Sequence, residues 1–154
     1  KLYFMHPKPY SNILYCTSWI YYFAMLVGLY HDIYDLAIYT GAVWLTSINY
    51  WREPDTSWRY YLDITTVRSG ILYHLIRGID SDDYKIFYLI FVSGLICYIP
   101  SRCYYNHKAF IISTIYHALL HLITGIGLIY LYSHPVKSLT ESYLLKCWEE
   151  GGQR

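Results

Sequence analysis

Apolar residues run along this chain in long blocks broken by short clusters of charge. A helix crossing ~30 Å of hydrocarbon needs roughly 20 mostly apolar residues, and five blocks approach that length: residues 12–30, 36–51, 58–76, 84–99 and 109–132. The first carries no charge. The second is uncharged but short, the third carries Asp63 and Arg68, the fourth closes at Pro100 and the fifth stops before Pro135. Charged segments between the blocks supply the turns, so the pattern predicts an all-α, multi-pass transmembrane helical bundle of about five spans over residues 1–134. Residues 135–154 predict a short amphipathic surface helix. There Ser138 and Glu141 have the spacing of a capping box, and Val136, Leu139, Tyr143 and Cys147 recur at helical intervals before Gly151 and Gly152.

Composition points the same way. Of 154 residues, 55% are hydrophobic and only 15% charged, a balance unusual for a soluble domain. The 21 tyrosines and 5 tryptophans suit the boundary where hydrocarbon meets water. A net charge of +1 gives no reason to expect a nucleic-acid partner. Cys16, Cys97, Cys103 and Cys147 show neither a CxxC pair nor zinc-finger spacing, so reduced thiols are expected. The first apolar block lacks a small-residue cleavage site behind it, and no signal peptide is expected. Lys1, Lys8, Arg52, Arg59, Arg102 and Lys108 fall on one side of a five-span map, opposite the segments HDIYD and RGIDSDDYK. This bias predicts an N-terminus on the cytoplasmic side, or its equivalent, with the C-terminus across the membrane.

The densest polar stretch, TSINYWREPDTSWRYYLD at residues 46–63, reads as a turn at the membrane edge. Pro54 and Asp55 would make the turn, Trp51, Trp58, Tyr60 and Tyr61 an aromatic belt, and Arg52 and Arg59 would face lipid phosphates. The simplest role for Asp63 is an interfacial ion pair with Arg52, Arg59 or Arg102.

Candidate chemistry centres on His117 and His121, four residues apart and so on one helical face, where both imidazoles can reach one metal ion. Helix-to-helix hydrogen bonds are the competing use for them. Ser47, near the end of the second span, and Asp63, one turn into the third, come to the same side and depth because alternate spans run in opposite directions. In the catalytic reading, zinc on His117 and His121 lowers the pKa of bound water, Asp63 orients or deprotonates it, and Ser47 hydrogen-bonds a substrate carbonyl. Arg68, near mid-span, needs a partner on another helix, on a lipid headgroup or on another protein. His74 falls about three turns from Asp63 and cannot join this group, though His31 and His74 share a side as an axial haem pair would.

Two resemblances arise at these residues. The run TSINYWREPDTSWRYYLDI resembles a segment of small multi-pass membrane proteins of large double-stranded DNA viruses that infect algae and protists. That implies residence in a viral or virus-modified membrane, such as one beneath a capsid, in the manner of a minor capsid protein. The order Ser47, Asp63, His117, His121 is also similar to the membrane hydrolase superfamily of alkaline ceramidases and progestin and adiponectin receptors. That likeness implies a serine, an aspartate and three histidines around zinc. Trp51 stands where the remaining histidine would fall, and the chain has fewer spans than that family. Together these features favour a structural or assembly role without a cofactor, the partners being the lipid bilayer and other protein subunits. The alternative is a zinc-dependent hydrolase of a lipid amide or ester.

Overall fold

The structure, a computed structural model, describes residues 7–139. Helices α1 (Lys8–Thr17) and α2 (Trp19–Tyr30) form one jointed rod. Helix α3 (Tyr34–Arg52) and helix α4 (Trp58–Arg77) follow, then a single 3-10 turn, Gly78–Asp80. Helices α5 (Tyr84–Ile96) and α6 (Tyr98–Asn106) make a second jointed rod, and α7 (Phe110–Tyr132) completes the bundle. The result is the expected all-α bundle of five rods. The segment after α7 returns beside the Gly78–Asp80 turn, where Ser81 and Val136 form an isolated bridge. Ser138 is described, but Glu141, Tyr143, Cys147, Gly151 and Gly152 of the predicted amphipathic tail helix lie outside the described residues.

The rods Lys8–Tyr30, Tyr84–Asn106 and Phe110–Tyr132, each of 23 residues, are long and apolar enough to cross a membrane. Helices α3 and α4, of 19 and 20 residues, reach ~30 Å at 1.5 Å per residue but are less apolar. Their polarity is turned inward. Thr40, Ser47, His74 and Arg77 are buried, whereas Ile38, Leu45, Leu62 and Leu72 are exposed. Water would penalise such an inside-out surface, while lipid favours it, because polar groups in hydrocarbon are costly unless they face the bundle interior.

Both joints have a chemical cause. At the first, the hydroxyls of Thr17 and Ser18 both donate to the carbonyl of Leu14, at 3.2 and 2.8 Å, and such back-bonding bends helices. At the second, Pro100 does not end the span, as the sequence suggested. Its ring removes the bond to Ile96 and crowds that carbonyl, so the helix breaks one turn earlier, at Cys97, and then continues to Asn106.

The rods approach most closely at glycines. A Cβ on Gly94 of α5 would stand 2.8 Å from Thr124 Cγ2 and 2.9 Å from the Thr124 backbone nitrogen on α7, and one on Gly125 would meet Ile20 of α2 at 2.5 Å. Small residues at such crossings let helix backbones approach in lipid, where packing rather than water exclusion holds helices together. Leu36, Phe87, Leu131 and Tyr132 form the fully buried centre.

Helix α4 packs along α3, but its main link to α5 is the Gly78–Asp80 turn at one end. A buried ionic clasp holds that end. The Arg77 guanidinium donates through Nε to Asp35 Oδ2 at 2.9 Å and through Nη2 to the Lys137 carbonyl at 3.0 Å, and it also bonds the buried Asp80. Tyr73 donates to the same Asp35 oxygen at 2.8 Å. Away from the clasp α4 keeps little contact with α5, α6 or α7, and the space between them is a cleft.

Candidate functional site

The cleft opens into a cavity of about 410 Å³ walled by α4 on one side and by α5 and α6 on the other, with α3 and α7 at its back. Ser47, Asp63, His117 and His121 all line it. Ser47 lies five residues before the end of α3 and Asp63 five residues after the start of α4, so the antiparallel hairpin sets them at equal depth. The Ser47 hydroxyl donates to Asp63 Oδ1 at 2.7 Å. This contact replaces the ion pair expected for Asp63. Arg59 is drawn instead to the acids of its own turn, Asp55 at 2.8 Å and Glu53 at 3.4 Å, while Arg102 rests over the Tyr105 ring at 5.5 Å. In the turn, the Ser57 backbone N–H donates to Asp55 at 3.0 Å. Hydrogen bonds from Ser57, and then from Arg59, hold the Asp55 carboxyl well below its ordinary range, at about 2.

His117 and His121 share one face of α7, with ring centroids 5.0 Å apart. Nδ1 of His121 meets Thr17 Oγ1 at 3.0 Å and Ser18 Oγ at 3.5 Å. Both hydroxyl protons are already given to Leu14, so the imidazole Nδ1–H is the donor and its tautomer follows. Nδ1 of His117 lies 3.3 Å from Ser101 Oγ, and the Ser101 carbonyl accepts from Ser113 at 2.9 Å.

Trp51 is not part of an interfacial belt. It is buried at 5% exposure, with its ring 5.1 Å from that of His117 and 6.4 Å from that of His121. Its inward turn follows from position, since Trp51 lies one helical turn after Ser47 on the face of α3 that meets the cavity. Trp58 and Tyr61 do face outward, at 66% and 62% exposure. The residues present do not fit zinc: among the described residues no group of three or more His, Cys, Asp or Glu comes together, and the indole beside the two imidazoles has no lone pair to offer a metal.

The cavity also touches polar groups that the sequence reading left out or assigned otherwise. Tyr21 and Thr124 share a hydrogen bond of 2.9 Å. His74 gives its Nδ1 proton to the Gly70 carbonyl at 2.7 Å, so Nε2 accepts from Tyr132 at 2.6 Å, and the Thr40 hydroxyl lies 2.6 Å from Tyr132 Oη and 3.2 Å from Nε2. Both ring nitrogens are occupied inside the core, and His31 is exposed on the turn after α2, so the pair makes no haem site. Thr17, Ser18 and Ser101 announce themselves in sequence only as isolated hydroxyls within apolar blocks. Arg68 lines the cavity yet remains exposed, and among the described residues it makes no ion pair or hydrogen bond.

Chemically, the cavity combines apolar walls such as Ile64, Val67 and Leu95 with a hydrogen-bonding group at the Ser47–Asp63 depth and guanidinium groups near its edge. The serine bonds the carboxylate directly, with no imidazole interposed between them. No family model, no curated protein and no solved structure matches the chain.

Proposed function

We propose that this chain is an integral membrane protein that binds a single-chain, lipid-like amphiphile, admitted from the bilayer between α4 and the α5–α6 rod. The observation that carries this reading is the cavity of about 410 Å³ within the bundle. That volume lies toward the small end of the ~300–1,000 Å³ typical of ligand sites, which suits one chain better than a two-chain phospholipid. A bundle that served only as a scaffold for a viral or organellar membrane would gain nothing by leaving that volume open. On this reading the Ser47–Asp63 end would lie on the side of the basic loops, expected to be the cytoplasm or its equivalent.

The reading assigns binding, not hydrolysis. A zinc-dependent hydrolytic role would need a third metal ligand beside His117 and His121.

The test is lipid extraction and mass spectrometry of the full chain purified in mild detergent. About one single-chain amphiphile per polypeptide is expected, and it should be lost when Val67→Trp and Leu95→Trp fill the cavity without lowering helix content. An unchanged lipid count in the filled variant would overturn the proposal.

A further inference from the structure

We infer that the amphiphile's head is anionic and that Arg68 and Arg102, reaching the cleft from its opposite walls, hold it. This inference rests on the reading of the cleft as a lipid site. Arg68 lies ten residues into α4, about 15 Å along its axis from the start, near the middle of the span. A guanidinium at that depth is costly without a counter-charge. The other ionised groups on α4 have partners: Arg59 has Asp55 and Glu53, Asp63 has Ser47, and Arg77 has Asp35 and Asp80. Arg68 alone has none among the described residues. Across the cleft, Arg102 is exposed over the Tyr105 ring and lines the same cavity.

The lining thus holds two guanidinium groups against one carboxylate, Asp63, which is turned toward α3 by Ser47. An anionic head on a chain lying in the apolar part of the cavity supplies the missing counter-charge. Guanidinium groups present planar donor forks that match the oxygens of a carboxylate or phosphate. An uncharged head leaves Arg68 unpaired.

The experiment uses the full chain in detergent micelles and three brominated probes of equal chain length: a fatty acid, a lysophosphatidate and a fatty alcohol. Binding is read from quenching of tryptophan fluorescence, Trp51 being in the cavity wall. At least one anionic probe should bind about tenfold or more tightly than the alcohol, as expected for a charge-assisted contact, and which of the two does so identifies carboxylate or phosphate as the head. In the Arg68→Gln, Arg102→Gln variant that preference should fall to within about twofold. Equal binding of all three probes to the parent chain, or a preference that survives in the double variant, overturns the inference and leaves the cleft reading standing. Failure of every probe to bind the parent chain removes both.

Discussion

Arg77 offers the sharpest test of how the cleft is built. Its side chain is 3% exposed and bonds Asp35, Asp80 and the Lys137 carbonyl, and the Asp80 side chain is 1% exposed. Arg77→Met keeps the length of the side chain while removing the guanidinium. Two charge-assisted hydrogen bonds to carboxylates, at ~1.5–3 kcal/mol each, are then lost. Removing one partner of a buried ion pair independently suggests ~3–5 kcal/mol. The two routes agree on a loss of about 3–5 kcal/mol. Adding Asp80→Asn should recover part of that loss, because the buried carboxylate no longer lacks its counter-charge. Equilibrium unfolding in mixed micelles, followed by tryptophan fluorescence and far-UV circular dichroism, measures both variants and their coupling. The clasp also ties α4 to the α5 end of the cleft, so Arg77→Met should raise the rate at which a brominated probe reaches Trp51. A loss below about 1 kcal/mol, together with an unchanged quenching rate, would refute the claim that this cluster closes the bundle.

Two further outcomes follow from the packing and from the turn. Gly94→Ala places a methyl group 2.8 Å from Thr124 Cγ2 and 2.9 Å from its backbone nitrogen, and should cost about 1–3 kcal/mol in the same unfolding assay; a loss under about 0.5 kcal/mol would mean that α5 and α7 separate freely. Asp55, with its carboxyl held at about 2 against an ordinary value of 3.8, stabilises the α3–α4 turn fully above pH 4, and that contribution fades as pH falls toward 2. Proteolysis of the turn in acid should therefore accelerate across that window in the parent chain and show no such step in Asp55→Asn. A step that persists in the variant would assign the acid sensitivity to another carboxylate.

The rods were legible in sequence because block length and charge punctuation respond to the same hydrocarbon thickness. Residues 58–76, weak by hydropathy, prove to be α4 because Asp63, His74 and Arg77 are turned inward rather than toward lipid. The shared depth of Ser47 and Asp63 was legible too, since antiparallel neighbours joined by a short turn fix it. Pairing was harder to read. The Asp63 carboxylate had three arginines within plausible reach, and the choice between them and Ser47 depends on which way α4 rotates about its axis, which period alone does not give. Trp51 carries the same signal in sequence whether it lies at an interface or in a core, because tryptophan suits both. The cleft was invisible for a similar reason: that α4 packs on α3 but stands away from α5 along most of its length is a property of neighbour order, not of any one helix.

Trp51 also determines what the histidine pair can be. Two imidazoles 5.0 Å apart on one helix face are a partial metal site, and a third donor beside them would make zinc chemistry available. The indole packs edge-on against both rings instead and contributes apolar surface, while the imidazoles hydrogen-bond Ser101 on α6 and Thr17 on α1. The pair then serves as a polar seam joining α7 to two other rods, at the back of a cavity whose remaining charge imbalance comes from Arg68 and Arg102. On the proposed reading, Arg68 and Arg102 would orient and neutralise a head at the cleft, above apolar walls that take its chain.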